Sequence, residues 1–529
     1  MRTVRDAALD QLRRLGLTTL FANPGSTEVP LLAGLPDDLR FVLALHEGSV
    51  VGAATGHALA TGEPALCLLH TTAGLGNAAG ALATARTGRA PLVVLVGQQD
   101  RRHLVQEPFL TGRLATLAGD YPVAVETPPR AQDVPGALGR AAAAARTLRG
   151  PALVIVPMND WAEPAEDLPE PAPATLLHAA AADRGAVEAA AELFADAAAP
   201  VLVAGAGNDS AEGWHALTAL AERLDCPVWQ EPYGARAGFP QDHPRFAGHL
   251  PADRASLRRA LAPHDLVFAV GAPLLRQFGY DTGPLAAEGT RLALVTDDPA
   301  EAHRAPAELA VVAPPADFCA RLAALLPARP RTPAPPRRSP RPRAAPGPLT
   351  PTRVLEALAA RLPPDTVVVE ETPSSRPLLH ALLPARAPLG FVSAAMGGLG
   401  FALPAAVGIR MALPRRPVVA VVGDGSALYQ IQALWTAAHY RVGAVFVVLG
   451  NGGYAIMDRL AARHGAPGPW PGFEDVRVHR LALALGCPAE HITDHAALTA
   501  ALDGLVPTLA SRRTPLLLDV ALTGDDDTA

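Results

Sequence analysis

The sequence predicts an α/β protein of three domains, each a parallel sheet covered by helices. Three observations support this prediction. The chain has 529 residues, enough for about three domains of ordinary size. Short, continuous apolar runs alternate with helical patterns, which favours parallel strands that are buried on both faces. A stretch rich in proline and arginine interrupts this alternation at residues 329–347 and indicates a linker.

The apolar runs divide the chain into three blocks. Residues 1–175 are predicted to form the first domain, with strands in TTLFANPG, RFVLALH, PALCLLH, APLVVLVG and PALVIVP. Residues 183–328 form a central domain, with strands in APVLVAGAG, CPVWQEP, DLVFAVGAP and RLALVTDDP. Residues 348–529 form the third domain, with strands in DTVVVEE, VVAVVGDG, VFVVLGNGG and PLLLDV.

Composition excludes several classes of function. A net charge of −6 does not indicate a nucleic-acid partner. No apolar run is long enough for a membrane span, and the first residues lack the apolar core of a secretion signal. The four cysteines lack CxxC spacing and predict reduced thiols in a cytoplasmic protein. The sequence contains no lysine, which excludes a lysine Schiff base.

The strongest motif lies in the third block. VVAVVG is followed by Asp424, Gly425 and Ser426, and the next predicted strand ends at Asn451. Glycines flanking Asp424 allow a sharp turn, and the stretch ALYQIQALWTAAH (427–439) is predicted to be one helix whose N-terminus favours a negatively charged ligand. Carboxylate and amide oxygens at adjacent strand ends suit Mg²⁺ with a bound diphosphate.

This pattern resembles the thiamin-diphosphate-dependent 2-oxo acid decarboxylase family. The resemblance extends from end to end and implies pyrimidine-binding, central and diphosphate-binding domains. It implies thiamin diphosphate and Mg²⁺ as cofactors, with Asp424, Asn451 and the main-chain oxygen of Gly453 as metal ligands. The family also implies cofactor contacts at Ser374, Gly397, Leu399, Gly423, Gly425, Ser426 and Tyr454.

Three residues of the first block complete the resemblance. Glu47 follows the apolar run FVLAL, and the family places such a carboxylate against the cofactor pyrimidine, where it promotes formation of the C2 ylide. Ser26 in NPGS and His70 in LHTTAGLGN are similar to residues of benzoylformate decarboxylases. The resemblance implies that Ser26 binds the substrate carboxylate and that His70 transfers protons. Simpler roles stay open: Glu47 and Ser26 could cap helices, and His70 could be structural.

The chain departs from the benzoylformate decarboxylases at the substrate pocket. Phe278 stands where the family has a second histidine, which serves proton transfer at the enamine. Ile456, Met457 and Leu460 align with the pocket wall and predict a hydrophobic acyl group, although they could instead be helix core.

The leading hypothesis is decarboxylation of a hydrophobic, benzoylformate-like 2-oxo acid to an aldehyde through a C2 ylide and an enamine. Phe278 favours an alternative, the formation or cleavage of 2-hydroxy ketones by a carboligase or acyloin lyase. A homologue that has lost catalysis is a further alternative. A synthase with a nucleotide in the central domain is another, suggested by Gly205-Ala206-Gly207 and Asp297-Asp298.

The family resemblance also implies an assembly. It predicts an active site between chains, in a homo-oligomer that is a dimer of dimers. The expected partners are a small-molecule 2-oxo acid and further copies of the chain, with no nucleic acid and no membrane.

Overall fold

The computed structural model describes residues 1–166, 181–331 and 348–522. They form three six-stranded sheets in which every pair of neighbouring strands is parallel, which confirms the predicted fold class. The end of the first predicted domain and residues 332–347 of the predicted linker lie outside the described residues, so the domain boundaries stay predictions. No helix in the described ranges has the length and apolar character needed to cross a membrane.

The N-terminal sheet has the strand order β2-β1-β3-β4-β6-β5. Its strands are β1 (Thr19–Asn23), β2 (Arg40–Leu43), β3 (Ala65–Leu69), β4 (Leu92–Gln98), β5 (Ala124–Glu126) and β6 (Pro151–Pro157). The helices are α1 (Val4–Arg14), α2 (Val29–Leu32), α3 (Glu47–Thr61), α4 (Thr71–Thr87), α5 (Leu114–Leu117) and α6 (Val134–Leu148). Strands β3, β4 and β6 are buried along their whole length, because helices cover both faces of the sheet.

The central sheet has the order β12-β11-β10-β7-β8-β9, the doubly wound order of nucleotide-binding folds when it is read from β9. Its strands are β7 (Pro200–Ala204), β8 (Val228–Gln230), β9 (Phe246–His249), β10 (Leu266–Val270), β11 (Arg291–Thr296) and β12 (Leu309–Val312). Its helices are α7 (Arg184–Asp196), α8 (Ala211–Leu224), α9 (Arg254–Leu261), α10 (Pro299–Arg304) and α11 (Pro315–Leu325).

The C-terminal sheet has the order β14-β13-β15-β16-β18-β17, which repeats the order of the N-terminal sheet. Its strands are β13 (Val367–Glu371), β14 (Phe391–Ser393), β15 (Val418–Gly423), β16 (Val445–Gly450), β17 (Ala489–Ile492) and β18 (Leu516–Ala521). Its helices are α12 (Pro351–Ala359), α13 (Arg376–Leu382), α14 (Ala402–Ala412), α15 (Asp424–Tyr429), α16 (Ala433–His439), α17 (Ala455–Arg463), α18 (Val478–Ala484) and α19 (His495–Leu505).

Helices α3 and α14 join the N-terminal and C-terminal domains of one chain. Glycines allow their backbones to approach very closely. A Cβ added at Gly56 would lie 2.1 Å from the main-chain oxygen of Ala405, and one at Gly408 would lie 1.8 Å from that of Ala53. Neither position has room for a side chain, so this crossing fixes the two domains relative to each other.

The single helix predicted for residues 427–439 is wrong. The structure has two helices, α15 and α16, separated at Gln430. The Gln430 side chain accepts a hydrogen bond from the Ser49 hydroxyl at 2.6 Å and lies 3.2 Å from Nδ1 of His46. The break therefore coincides with a contact to the N-terminal domain that a local helical pattern does not reveal.

Candidate active site

Glu47 begins helix α3 and is held by two amide side chains. Its carboxylate accepts hydrogen bonds from Nδ2 of Asn23 and Nδ2 of Asn77, each at 3.1 Å. The helix is capped by His46, whose Nδ1 accepts from the Gly48 backbone, so Glu47 itself is not the N-cap. Asn23 ends β1 and Asn77 lies on α4, so two neighbouring elements fix the orientation of this buried carboxylate.

His70 follows β3 and is oriented by a buried carboxylate. Its Nδ1 lies 2.9 Å from Oε2 of Glu28 and 3.1 Å from the Thr27 hydroxyl. Glu28 is only 1% exposed, and Oε2 also accepts the backbone N–H of Gly25 at 2.7 Å. A proton on Nδ1 would therefore point at Glu28, which leaves Nε2 to exchange a proton with a substrate.

Two glycines make room for this pair. A Cβ at Gly25 would lie 2.5 Å from the His70 ring, and one at Gly97 would lie 1.7 Å from Oε1 of Glu28. Ser26, next to Gly25, is exposed and does not cap α2, because the N-cap of that helix is Glu28. The sequence pattern identified Ser26 and His70 but missed Glu28. The only sign of Glu28 in the sequence was that a carboxylate lies two residues after Ser26.

A second group lies at the ends of β15 and β16. Asp424 is buried and accepts three backbone N–H groups: from Gly425 at 2.8 Å, from Asn451 at 2.9 Å and from Gly452 at 2.7 Å. Burial raises the pKa of Asp424, and the three N–H donors oppose that rise. These contacts fix the carboxylate beside the turn that Asn451 begins.

Three oxygens converge at this turn. Oδ1 of Asn451 lies 2.9 Å from the main-chain oxygen of Gly453 and 3.3 Å from Oδ1 of Asp424. Adjacent oxygens in an octahedron with metal–oxygen distances near 2.05 Å are about 2.9 Å apart, which the Asn451–Gly453 separation matches and the Asn451–Asp424 separation exceeds. Turning the Asn451 amide would instead satisfy the other two oxygens by hydrogen bonds from its nitrogen. In either orientation of the Asn451 amide, the oxygens of Asp424 and Gly453 face a point where a cation or an N–H donor would satisfy them.

A cavity of about 590 Å³ opens beside these oxygens. Most of the cofactor contacts implied by sequence line this single space, together with a pocket residue from the central domain, Phe278. The lining includes Ser374, Gly397, Leu399, Gly423, Asp424, Gly425, Ser426, Asn451, Gly453, Tyr454, Ile456 and Met457. Leu460 is absent from the lining within the described residues. Phe278 is 65% exposed, so its ring stands at the cavity rather than in a core.

The segment that carries Gly397 and Leu399 is anchored by another carboxylate that the sequence pattern missed. Glu371, at the end of β13, accepts the backbone N–H groups of Gly400, Phe401 and Ala402 at 2.6, 2.8 and 2.7 Å. Burial raises the pKa of Glu371 to about 7 despite these donors. Gly397 has φ +76°, a backbone conformation that favours glycine. Glu371 thus fixes the start of α14 and the loop before it.

The N-terminal group around Glu47 and the C-terminal group around Asp424 do not line one common cavity within a single chain. Among the described residues, the space beside Asp424 has no lining residue from 1–166. A smaller cavity of about 180 Å³ lies between the domains and is bounded by Gly48 and Asn77, the neighbours of Glu47. Leu399 borders both cavities. One chain therefore presents two half-sites.

A cavity of about 320 Å³ lies at the ends of β7 and β10 of the central domain, and residues of the two outer domains, including Arg89 and Ala395, also line it. Gly207 and Asp298 line it, so the structure brings the two candidate nucleotide motifs together. A buried carboxylate, Glu231, also lines it, and burial raises the pKa of Glu231 to about 7. Arg89 from the N-terminal domain pairs with Asp297 at 2.6 Å, so an ion pair closes this end of the central domain.

Comparison with known proteins agrees with this architecture. Residues 2–114, 187–322 and 374–520 match the N-terminal TPP binding, central and C-terminal TPP binding domains of thiamine pyrophosphate enzymes. The chain is 40% identical to benzoylformate decarboxylase of Pseudomonas aeruginosa, with 98% of this chain and 99% of that protein covered.

Two solved structures are similar over almost their whole length. A thiamine diphosphate-dependent 4-hydroxybenzoylformate decarboxylase from Rhodococcus jostii RHA1 has a TM-score of 0.94 at 36% identity, with 100% of both chains covered. The benzoylformate decarboxylase of Polynucleobacter necessarius has a TM-score of 0.92 at 32% identity, with 99% of both chains covered.

Proposed function

Because this chain belongs to the thiamine pyrophosphate enzyme family, and is homologous to a carboxy-lyase of that family, we propose that it decarboxylates a hydrophobic, benzoylformate-like 2-oxo acid to an aldehyde. The observation that carries the proposal is the convergence of three oxygens from Asp424, Asn451 and Gly453 beside a cavity with apolar walls. Such a site suits a diphosphate bound through a cation, with an apolar substrate next to it.

In this proposal the oxygens of Asp424, Asn451 and Gly453 hold Mg²⁺. Ser374, Gly423, Gly425 and Ser426 contact the diphosphate, and Gly397, Leu399 and Tyr454 bound the remainder of the cofactor. Thiamin diphosphate, when bound, supplies the electron sink that decarboxylation requires. A Cβ at Gly425 would lie 2.7 Å from the Tyr454 ring, so a larger residue at this turn would have to displace that ring.

The N-terminal residues provide proton transfer and orientation. Glu47, held by its two amide donors, would exchange a proton with the pyrimidine of a bound cofactor. Ser26 binds the substrate carboxylate, and Nε2 of His70 exchanges protons with the substrate oxygen while Glu28 holds Nδ1. Ile456 and Met457 enclose the apolar group of the substrate.

The separation of the half-sites supports a site between chains. The Asp424 cavity has no lining residue from 1–166 among the described residues, so a complete site requires the N-terminal domain of a neighbouring chain. We therefore propose a dimer as the smallest active unit, and a dimer of dimers as the assembly. The described cysteines are buried and free of disulfides, which supports a cytoplasmic location.

Phe278 supports carboligation as a second candidate function. Its exposed phenyl ring borders the cavity where a proton-transferring side chain is expected, and a phenyl ring cannot transfer a proton. Slower protonation of the decarboxylated acyl group would leave time for attack on a second aldehyde, which gives a 2-hydroxy ketone.

Product analysis tests both functions. Purified protein with thiamin diphosphate, Mg²⁺ and benzoylformate is expected to release CO₂ and benzaldehyde, and Glu47→Gln is expected to release neither at a comparable rate. Added aldehyde diverts product to hydroxy ketone if carboligation competes, and Phe278→His is then expected to restore free aldehyde. A folded, cofactor-saturated protein that releases no CO₂ from aromatic or branched 2-oxo acids would contradict the proposal.

A further inference from the structure

A cluster of two histidines and one aspartate lies on β17, β18 and α18 at one edge of the C-terminal sheet. His479 lies in the first turn of α18, His491 lies on β17, and Asp519 lies on β18 directly opposite His491 in the strand register. One ligand atom from each of the three lies within 4.8 Å of the other two. In the part of the chain that the structure describes, this is the one such group of three or more His, Cys, Asp or Glu side chains.

The Nδ1 atoms of both histidines lie near one carboxylate oxygen of Asp519. Nδ1 of His479 lies 2.7 Å from Oδ2 of Asp519, and Nδ1 of His491 lies 3.6 Å from the same oxygen. The two imidazole rings are stacked, with centroids 4.6 Å apart and an angle of 26° between their planes. Nδ1 of each ring therefore faces the same carboxylate oxygen, and the contact from His479 has the length of a hydrogen bond.

These distances suit a tetrahedral transition-metal ion. With metal–ligand distances of about 2.0–2.2 Å, neighbouring ligand atoms of a tetrahedral site are about 3.3–3.6 Å apart. The 3.6 Å contact of His491 falls in this range, whereas Nδ1 of His479 would have to move away from Asp519 by less than about 1 Å. Imidazole nitrogens favour zinc-class cations, whereas the all-oxygen site at Asp424 suits Mg²⁺.

The burial of Asp519 and the partial exposure of His491 are also compatible with a bound cation. Asp519 is buried and accepts the backbone N–H of His479 at 3.1 Å, so it is fixed at the start of α18. The His491 side chain is 38% exposed and borders an open groove between β17 and α19. Because His491 is partly exposed, a cation can reach this side chain from solvent, and a water molecule can supply the fourth ligand.

We propose that His479, His491 and Asp519 form a binding site for one zinc-class divalent cation, separate from the cation site of the cofactor. The two sites are neighbours. A Cβ at Gly450 would lie 3.4 Å from Oδ1 of Asp519 and 3.9 Å from Oδ2 of Asp424. The test must therefore fill the Asp424 site before the second cation is added.

Metal titration of the whole protein tests the proposal. Protein stripped with a chelator is saturated with thiamin diphosphate and Mg²⁺, and Co²⁺ is then added while visible absorption is recorded. A parallel sample receives Zn²⁺, and retained zinc is counted after gel filtration. The variants are His491→Asn and His479→Asn, with His215→Asn on the exposed face of α8 as the matched control.

We expect one retained zinc and the intense absorption of tetrahedral Co²⁺ in the wild-type protein and in His215→Asn. Binding is expected to weaken by about 10- to 100-fold or more in His491→Asn and His479→Asn, since each loses a ligand. The proposal is overturned if the wild-type protein retains no zinc, or if His491→Asn retains as much as His215→Asn. His491 lies on an edge strand and is partly exposed, so its variant is expected to fold.

Discussion

Glu28 is predicted to act on catalysis through His70, and Glu28→Gln tests this with little change in shape. Oε2 accepts from Gly25 and faces Nδ1 of His70, and Oε1 accepts from Thr27. A glutamine oxygen can replace Oε2, and the Thr27 hydroxyl can turn to accept from the new amide. The substitution therefore removes the negative charge and keeps the contacts.

The size of the expected fall in kcat/KM follows from the loss of the negative charge of Glu28. Hydrogen bonds to charged groups contribute about 1.5–3 kcal/mol and neutral ones about 0.5–1.5 kcal/mol. The difference of about 1–1.5 kcal/mol corresponds to roughly a tenfold fall in kcat/KM if all of it acts in the transition state. Glu63→Gln is the matched control, because Glu63 is exposed, pairs with Arg146 and lies at the opposite end of β3 from His70.

The assay is steady-state decarboxylation of benzoylformate by wild type, Glu28→Gln, His70→Ala and the double variant. If Glu28 acts through His70, Glu28→Gln has no further effect once His70 is removed, because the two residues form one unit. An equal tenfold loss in both backgrounds would refute the reasoning. So would an unchanged kcat/KM in a folded, cofactor-saturated Glu28→Gln protein.

Three further predictions concern the cation site, a buried carboxylate and the helix crossing. Asp424→Asn is expected to abolish retention of thiamin diphosphate on gel filtration in Mg²⁺, because a neutral amide replaces the anionic ligand; full retention would contradict this. The pKa of Glu371 is raised from 4.5 to about 7 in the folded protein, so the native state binds the extra proton and stability is lost as pH rises through that window. The Tm of Glu371→Gln relative to wild type is therefore expected to rise between pH 5 and pH 7.5, and a constant difference would refute it. Gly408→Ala would place a Cβ 1.8 Å from the Ala53 oxygen and is expected to destabilise by about 1–3 kcal/mol, whereas Gly504→Ala in α19 has open space and is expected to be neutral or stabilising in denaturant melts.

Local sequence was sufficient to locate the side chains that we propose as cation ligands. A continuous apolar run that ends in a polar residue identifies the end of a buried parallel strand, and such ends share one edge of the sheet. Asp424 and Asn451 directly follow the neighbouring strands β15 and β16 for this reason. The alternation of apolar runs with helical patterns was likewise sufficient to predict three parallel sheets, because this pattern is local and does not depend on contacts between distant helices.

Contacts between distant segments were not accessible to the same reasoning. Glu371 accepts backbone N–H groups about 30 residues away, and Glu28 faces an imidazole 42 residues away. The only local sign of Glu371 was a pair of acids at the end of the apolar run VVVEE. The break at Gln430 depends on Ser49, which is 381 residues away. Helical periodicity contains no information about such partners.

The N-terminal and C-terminal sheets have the same strand order, and this places His70 and Asp424 at corresponding positions. His70 directly follows β3 and Asp424 directly follows β15, and each of these is the third strand of its own sheet and is followed at once by a helix. The two residues thus occupy equivalent positions in two sheets that have the same strand order. The strand order sets only where a side chain is presented. The identity of that side chain decides the chemistry that the position can serve: we propose that the imidazole of His70 transfers protons and that the carboxylate of Asp424 binds a cation.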